Sequence, residues 1–344
     1  MTFFKNISLI TTLLLAVFSV SPCLGREMRV DISQEARSSV SEEKLALDID
    51  FLTDSICAGR ATGSIGSSEA SSWISRRFAS LGLSPAGDGF IHGFRVNGTN
   101  GRNVIGIVKG CANRKADKYI IIAASYDGLG IRGGKYYPGA DSNASGVAAM
   151  LGVARMISVC RSLGREYGAD IIFAALDGKY QSLAGSNALW NQISSGSLKD
   201  ADGRPVTPGK IKVMVNLDQI GSSLSPLASG RKDYLIMLGG GFGSEEALQA
   251  NKSNDTGLEL SFSYYGSSDF TNVFYRKTGD HTIFLSHGVK SVLFTSGITM
   301  NNNKLTDTPD NLDFPVLKRR VYLVWNWTER IAGIKSGKQN NTAR

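Results

Sequence analysis

The run Tyr119–Ala124 (YIIIAA) is apolar without interruption. A strand with one wet face alternates apolar and polar residues, so a continuous run predicts a central strand covered on both faces. Asp170–Leu176, Ile211–Leu217, Tyr234–Leu238 and Ser291–Thr295 read as further strands. Between them lie helical patterns at Gly146–Leu163, with Asn143 as N-cap, at Leu183–Ile193 and at Thr282–Ser286, and a last one from Pro315 to Ile334. Upstream, Glu42–Asp54 and Ser68–Leu81 are helical, and Gly89–Val96 and Asn103–Lys109 are short strands. Strands alternating with helices predict an α/β fold, a mostly parallel central sheet with helices on both faces. In such sheets, sites form in the loops at the carboxyl ends of the strands.

The N-terminus reads as a leader. Lys5 precedes the apolar run Ile7–Val20, and small residues follow, the pattern of a secretory signal peptide over residues 1–25. Cleavage near Gly25 competes with a lipid anchor at Cys23, although Pro22 makes a poor lipobox. Either way the chain is expected to be exported, to the periplasm or the outside. Residues 26–40 are polar and expected to be loose, 41–336 form one α/β domain, and 337–344 are a polar tail. Of the later cysteines, Cys57, Cys111 and Cys160, two could pair, or all could be small buried hydrophobes. The net charge is +8, but the basic residues are dispersed. No basic stripe or motif points to nucleic acid.

Polar segments follow the strands: Ser125-Tyr126-Asp127, Gly139–Gly146 (GADSNASG), Asp177-Gly178-Lys179-Tyr180, Asn216-Leu217-Asp218, Gly279-Asp280-His281 and Thr306-Asp307. This is a set of carboxylates at the mouth of a parallel sheet. Buried unpaired carboxylates are costly, so a cation is expected among them.

Those segments, in that order, resemble the zinc-dependent aminopeptidases related to bacterial leucyl aminopeptidase and to glutaminyl cyclases, the M28 peptidase family. Gly59–Ser64 (GRATGS) and Leu81–Asp88 (LGLSPAGD) are similar to that family's opening segment, so the likeness covers nearly all of residues 42–335. It implies the zinc-aminopeptidase fold and a pair of zinc ions that polarise a carbonyl and generate hydroxide. Carried over by position, the bridging Asp is Asp141, the distal Asp is Asp218 and the Asp supporting the first His is Asp127. The first His position holds Ser125. The paired-Glu position holds Lys179, where the general base belongs, and Tyr180, where a ligand belongs. The last His falls near Asn303. Three of five ligands and the base are therefore absent, and the chain has only three histidines, His92, His281 and His287. Asp280 and His281 stand where the family has a pocket-lining Asp-His pair. No metal is expected, or, if any, one on Asp141 and Asp218.

Lys179 could point inward as a fixed cation near Asp141, Asp218 and Asp127, or turn to solvent. The resemblance implies an exported, catalytically inactive aminopeptidase-fold protein that binds a peptide or protein. The alternative is an active zinc exopeptidase with a divergent or single-metal site. A one-zinc glutaminyl cyclase would need the positions now held by Tyr180 and Asn303. Other readings are weaker: Gly239–Gly243 lacks the Lys-Ser/Thr of a phosphate loop, and Ser125 lacks a nucleophile-elbow motif. Asp280-His281 could be an acid–base pair.

Overall fold

Strand β4 (Tyr119–Ser125) shows why an all-apolar run is needed. Ile120, Ile122 and Ala124 face one hydrophobic layer, and Tyr119, Ile121 and Ala123 face the other. The period-2 alternation of a strand survives as an alternation between two cores. A computed structural model describes residues 30–112, 118–239, 244–264 and 266–335. The expected leader, Cys23 and the expected tail lie outside the described residues, as do Gly240–Gly243.

The other strands of the large sheet are β1 (Ser84–Pro85), β2 (Ile91–Val96), β3 (Thr99–Val108), β5 (Asp170–Leu176), β6 (Ile211–Leu217), β7 (Tyr234–Leu238), β8 (Glu259–Ser261) and β9 (Ser291–Thr295). Their order is β1-β3-β5-β4-β6-β9-β7-β8, and β2 forms a hairpin with β3. The four central strands β5, β4, β6 and β9 are parallel, as the sequence pattern predicts. Antiparallel pairings carry the sheet outward through β3 and β7.

Helices α1 (Ile32–Ser38), α2 (Glu42–Thr53), α3 (Ile65–Ser80), α4 (Ser145–Ser162) and α9 (Phe314–Ala332) contribute to one core. Helices α5 (Ala184–Ser194) and α8 (His281–Ser286) contribute to the other. Helices α6 (Glu245–Ser253) and α7 (Ser268–Lys277) complete the set. By length and composition α4 could cross a membrane, yet most of its apolar window is buried in this core.

The stretch expected to be loose contains α1, whose Ala36 is fully buried, so the compact unit starts by Ile32 rather than at residue 41. Cys57, Cys111 and Cys160 are all free thiols, the first and last of them buried. Burial pushes Cys57 up to about 11 and Cys160 up to about 12, as inert packing thiols require.

Candidate functional site

Parallel register brings the polar segments together. Ser125 at the end of β4 pairs with Leu176 at the end of β5, and Ala123 pairs with Asn216 near the end of β6. Asp127, the Asp177–Tyr180 turn and Asp218 therefore leave the sheet at one edge. The GADSNASG segment leads from that edge into α4. Asn143 does not occupy the cap position itself, which falls on Ala144. Its Oδ1 still accepts from the Gly146 amide (3.2 Å) and from the Gln219 amide (2.9 Å), while its Nδ2 donates to the carbonyls of Ser125 and Leu217. One side chain thus ties β4, β6 and α4 together. Gly146 permits this contact, because a Cβ there would lie 2.4 Å from Asn143 Oδ1 and 2.5 Å from the Leu217 carbonyl.

Lys179 points inward. Its Nζ donates to both oxygens of Asp218, at 2.7 and 2.6 Å. Burial works against the ammonium, but the Asp218 carboxylate outweighs it and holds the lysine above its ordinary pKa. The Lys179 ammonium forms no hydrogen bond to Asp141 or Asp127, and Lys179 supports Asp127 only through its backbone amide, so of these three aspartates only Asp218 has an ammonium in direct contact.

The other carboxylates sit in separate niches. Asp141 Oδ1 accepts from the Gly221 amide (2.8 Å) and from Ser145 Oγ (3.0 Å), while its buried Oδ2 has no partner. Burial pushes Asp141 up to about 7. Asp127 Oδ2 accepts from the Tyr180 amide (3.2 Å) and its Oδ1 is an orphan. Burial, reinforced by the Asp177 carboxylate, pushes it up to about 7. Asp280 accepts from Ser186 Oγ, leaves its second oxygen unpaired, and is raised by burial to about 6. Beside it, His281 is buried and neutral, its pKa lowered by burial to about 4. Its Nε2 lies 2.7 Å from the Tyr275 carbonyl, which it can only donate to, so Nδ1 is left to accept from Asn216 Nδ2 at 3.5 Å. A neutral ring fixed in this way is not paired with Asp280 for acid–base work.

Tyr180 and Asn303, the positions expected to stand where ligands belong, meet: the Tyr180 hydroxyl donates to Asn303 Oδ1 at 2.6 Å. With Ser142 and Asp307 they border a cavity of about 10 Å³, room for about one water. Asp307, from the last of the polar segments, takes a role that the sequence did not assign it. Its carboxylate accepts from the amides of Asp141 and Ser142 (2.8 and 3.1 Å) and from Ser142 Oγ (2.7 Å), which clamps the GADSNASG turn. The Thr306-Asp307 pair stood in the sequence, but nothing local showed which turn it would hold.

Zinc does not fit the residues present. Ser125 is buried against Asn143. Asp218 is occupied on both oxygens by an ammonium, which repels a cation. His92 is near Gln192, and His287 stacks on Trp190, so neither replaces a missing ligand. Among the described residues, no three His, Cys, Asp or Glu side chains come together as a metal site.

A parallel sheet core with helices on both faces and carboxylates gathered at its strand ends defines an aminopeptidase-like α/β scaffold. The sequence model of peptidase family M28 matches residues 103–328, and the chain belongs to that family. The fold is shared with LapA aminopeptidase of Legionella pneumophila (TM-score 0.68, 14% identity, over 88% of this chain and 74% of that one). It is shared also with an aminopeptidase from Aneurinibacillus sp. strain AM-1 (TM-score 0.63, 15% identity, over 88% and 97%). A glutaminyl cyclase from Macrostomum lignano is similar as well (TM-score 0.62, 16% identity, over 87% and 91%). At these identities the likeness concerns the fold. No curated protein matches the chain in sequence.

Proposed function

We propose that this chain is a non-catalytic member of the M28 family, exported to the periplasm or the outside, that binds a peptide or protein rather than cleaving one. The observation that carries this reading is the Lys179 ammonium held by both oxygens of Asp218. A general base must accept a proton, and a lysine held above its ordinary pKa by a carboxylate cannot do so near neutral pH. The same ammonium supplies one fixed positive charge where two zinc ions would otherwise stand. The Tyr180–Asn303 contact fills the adjoining space with the chain's own side chains. What remains is a scaffold whose loops at the strand ends are free to serve recognition.

The test is zinc content by mass spectrometry on mature protein purified in the presence of zinc, with hydrolysis of aminoacyl amides assayed alongside. The expected result is no stoichiometric zinc and no chelator-sensitive hydrolysis. Near-stoichiometric zinc that is lost in Asp141→Asn, with chelator-sensitive release of the amino acid, would overturn the reading in favour of a divergent single-metal exopeptidase.

A further inference from the structure

Helices α2, α3 and α4 border a second cavity, of about 710 Å³, that shares no residue with the strand-end site. Its size is that of a ligand pocket. Lys44, Leu47, Asp48 and Phe51 line it from α2 at the i, i+3, i+4, i+7 spacing of one helix face. Leu47 is 67% exposed and Ile56, just beyond the helix, 52%. Phe51 stacks on Trp73 of α3 at 4.7 Å, and the Arg77 guanidinium lies over the Trp73 ring at 5.5 Å.

The charge at one side of this apolar groove does not balance. Arg77 Nη2 pairs with the buried Asp48 at 2.6 Å, but its buried Nε has no partner. Arg155 of α4 is partly buried and feels the charges of Asp48 and Arg77, yet it makes no hydrogen bond or ion pair among the described residues. Two guanidinium groups therefore share one carboxylate. The Arg155 guanidinium has no acceptor among the described residues to give up when a ligand arrives, and its planar fork matches a carboxylate. Elsewhere the groove carries Lys44 against Asp50 and Asp54. The surplus is thus a single local positive charge with acids nearby, which suits a singly charged carboxylate better than a phosphate.

We propose that this groove binds the free C-terminal end of a peptide with apolar last residues. The carboxylate lies on the Arg155 guanidinium, and the side chains lie along Leu47, Phe51 and Ile56. The span from Lys44 to Phe51 on α2 is about 10 Å, which accommodates about three residues of extended chain. This is longer than a small organic acid needs. The inference does not depend on whether the strand-end site holds a metal.

The test follows Trp73 fluorescence and heat of binding as N-acetyl-Ala-Leu-Phe is titrated into the full chain. The same peptide is titrated as its C-terminal amide, and 3-phenylpropionate serves as a free acid. The expected result is saturable binding of the peptide acid, with the amide and 3-phenylpropionate each weaker by about tenfold or more. Arg155→Met should weaken the peptide acid by a similar factor and leave the amide unchanged. It should lower the melting temperature only slightly, because it removes a charge that attracts Asp48 without a hydrogen bond and spares the Arg77–Asp48 pair. Arg155→Lys keeps the charge without the fork and should fall between the two, so the proposal stays testable if the methionine variant fails to fold. Equal binding of acid and amide, unchanged affinity in Arg155→Met, or no saturation at millimolar peptide overturns the proposal. Binding of 3-phenylpropionate as tight as the peptide overturns the peptide end as occupant.

Discussion

Lys179 and its neighbours divide the retained carboxylates into one that is neutralised and three that are not. Asp218 has an ammonium; Asp127, Asp141 and Asp280 each keep a buried oxygen without a partner. This has a consequence for pH. Asp127 titrates at about 7 and Asp280 at about 6, both raised by burial from an ordinary 3.8. Between those limits the folded chain holds protons that the unfolded chain has released. The contribution of these two groups to stability therefore falls as pH rises from about 4 to about 7, then levels off, each with a slope of about 1.4 kcal/mol per pH unit where the two states differ by a full proton, while His281, lowered by burial to about 4, adds an opposing rise between about 4 and its ordinary 6.5. Lys179 adds nothing in this window, because its stabilisation is fully present below the ordinary lysine pKa and is lost only as pH rises through its still higher folded value. Asp127→Asn removes one of these buried charges. Thermal melts should show it stabilised relative to the parent at pH 8 and not at pH 4.5; the same change at both values would show that Asp127 is not charged in the folded chain. The gathering of Asp127, Asp141 and Asp218 at the strand ends was legible in the sequence, since it follows from segment order along a parallel sheet. The inward turn of Lys179 and the Tyr180–Asn303 bond were not. That bond joins residues 123 positions apart, and its existence depends on how the 297–307 loop closes over the strand ends.

At the scale of elements, the legible parts are those where burial dictates the pattern. β4, β5, β6, β7 and β9 are found where the apolar runs stand, because a strand covered on both faces has little choice of residue. Helices α6 and α7 were not anticipated. Both are short; α6 has little apolar stripe to accompany its Ser244 cap, and in α7 the stripe is only Phe270, Val273 and Phe274, too brief to stand out from the surrounding polar sequence. α1 was missed for a related reason, since only Ala36 of its seven residues is buried. The loop over the site owes its shape to a residue in the opening segment. Arg60 is fully buried, and its guanidinium donates to the carbonyls of Leu52, Tyr126 (2.7 Å), Pro138 (2.8 Å) and Gly139 (2.9 Å). It therefore holds α2 against both ends of the loop that runs from β4 to the GADSNASG turn. Arg60→Met would take the guanidinium donors from the Leu52, Tyr126 and Pro138 carbonyls and leave Gly139 only the Ala144 amide, at a cost of about 3 kcal/mol or more. Urea unfolding should show a lower midpoint at unchanged slope, and Arg60→Lys should recover only part of the loss, because an ammonium lacks the planar fork. A loss below about 1 kcal/mol would mean that water or other donors reach those carbonyls.

For the molecule as a whole, the proposed loss of the family's chemistry raises the question whether the scaffold or only its side chains has changed. The positions of Asp127, Asp141, Asp218 and their neighbours are set by parallel register, by Asn143 tying β4 to β6 and α4, and by Asp307 clamping the turn at Asp141. None of these contacts involves Ser125 Oγ, Lys179, Tyr180 or Asn303 as an essential support. On the proposed non-catalytic reading, the backbone that would present a metal pair is thus specified independently of the side chains that take its place. Restoring the family's residue types at all four places, with Ser125→His, Lys179→Glu, Tyr180→Glu and Asn303→His in one chain, should therefore recover stoichiometric zinc by mass spectrometry. Lys179→Glu with Tyr180→Glu alone should bind zinc more weakly, since the two imidazoles are still missing. The fourfold variant also removes the ammonium from Asp218, so with zinc withheld it should melt below the parent, and zinc should raise its melting temperature as any ligand of the folded state does. A fourfold variant that folds and takes up no zinc would show that the strand-end loops have moved beyond ligand distance, and that the drift lies in the backbone as well as in the residues it carries.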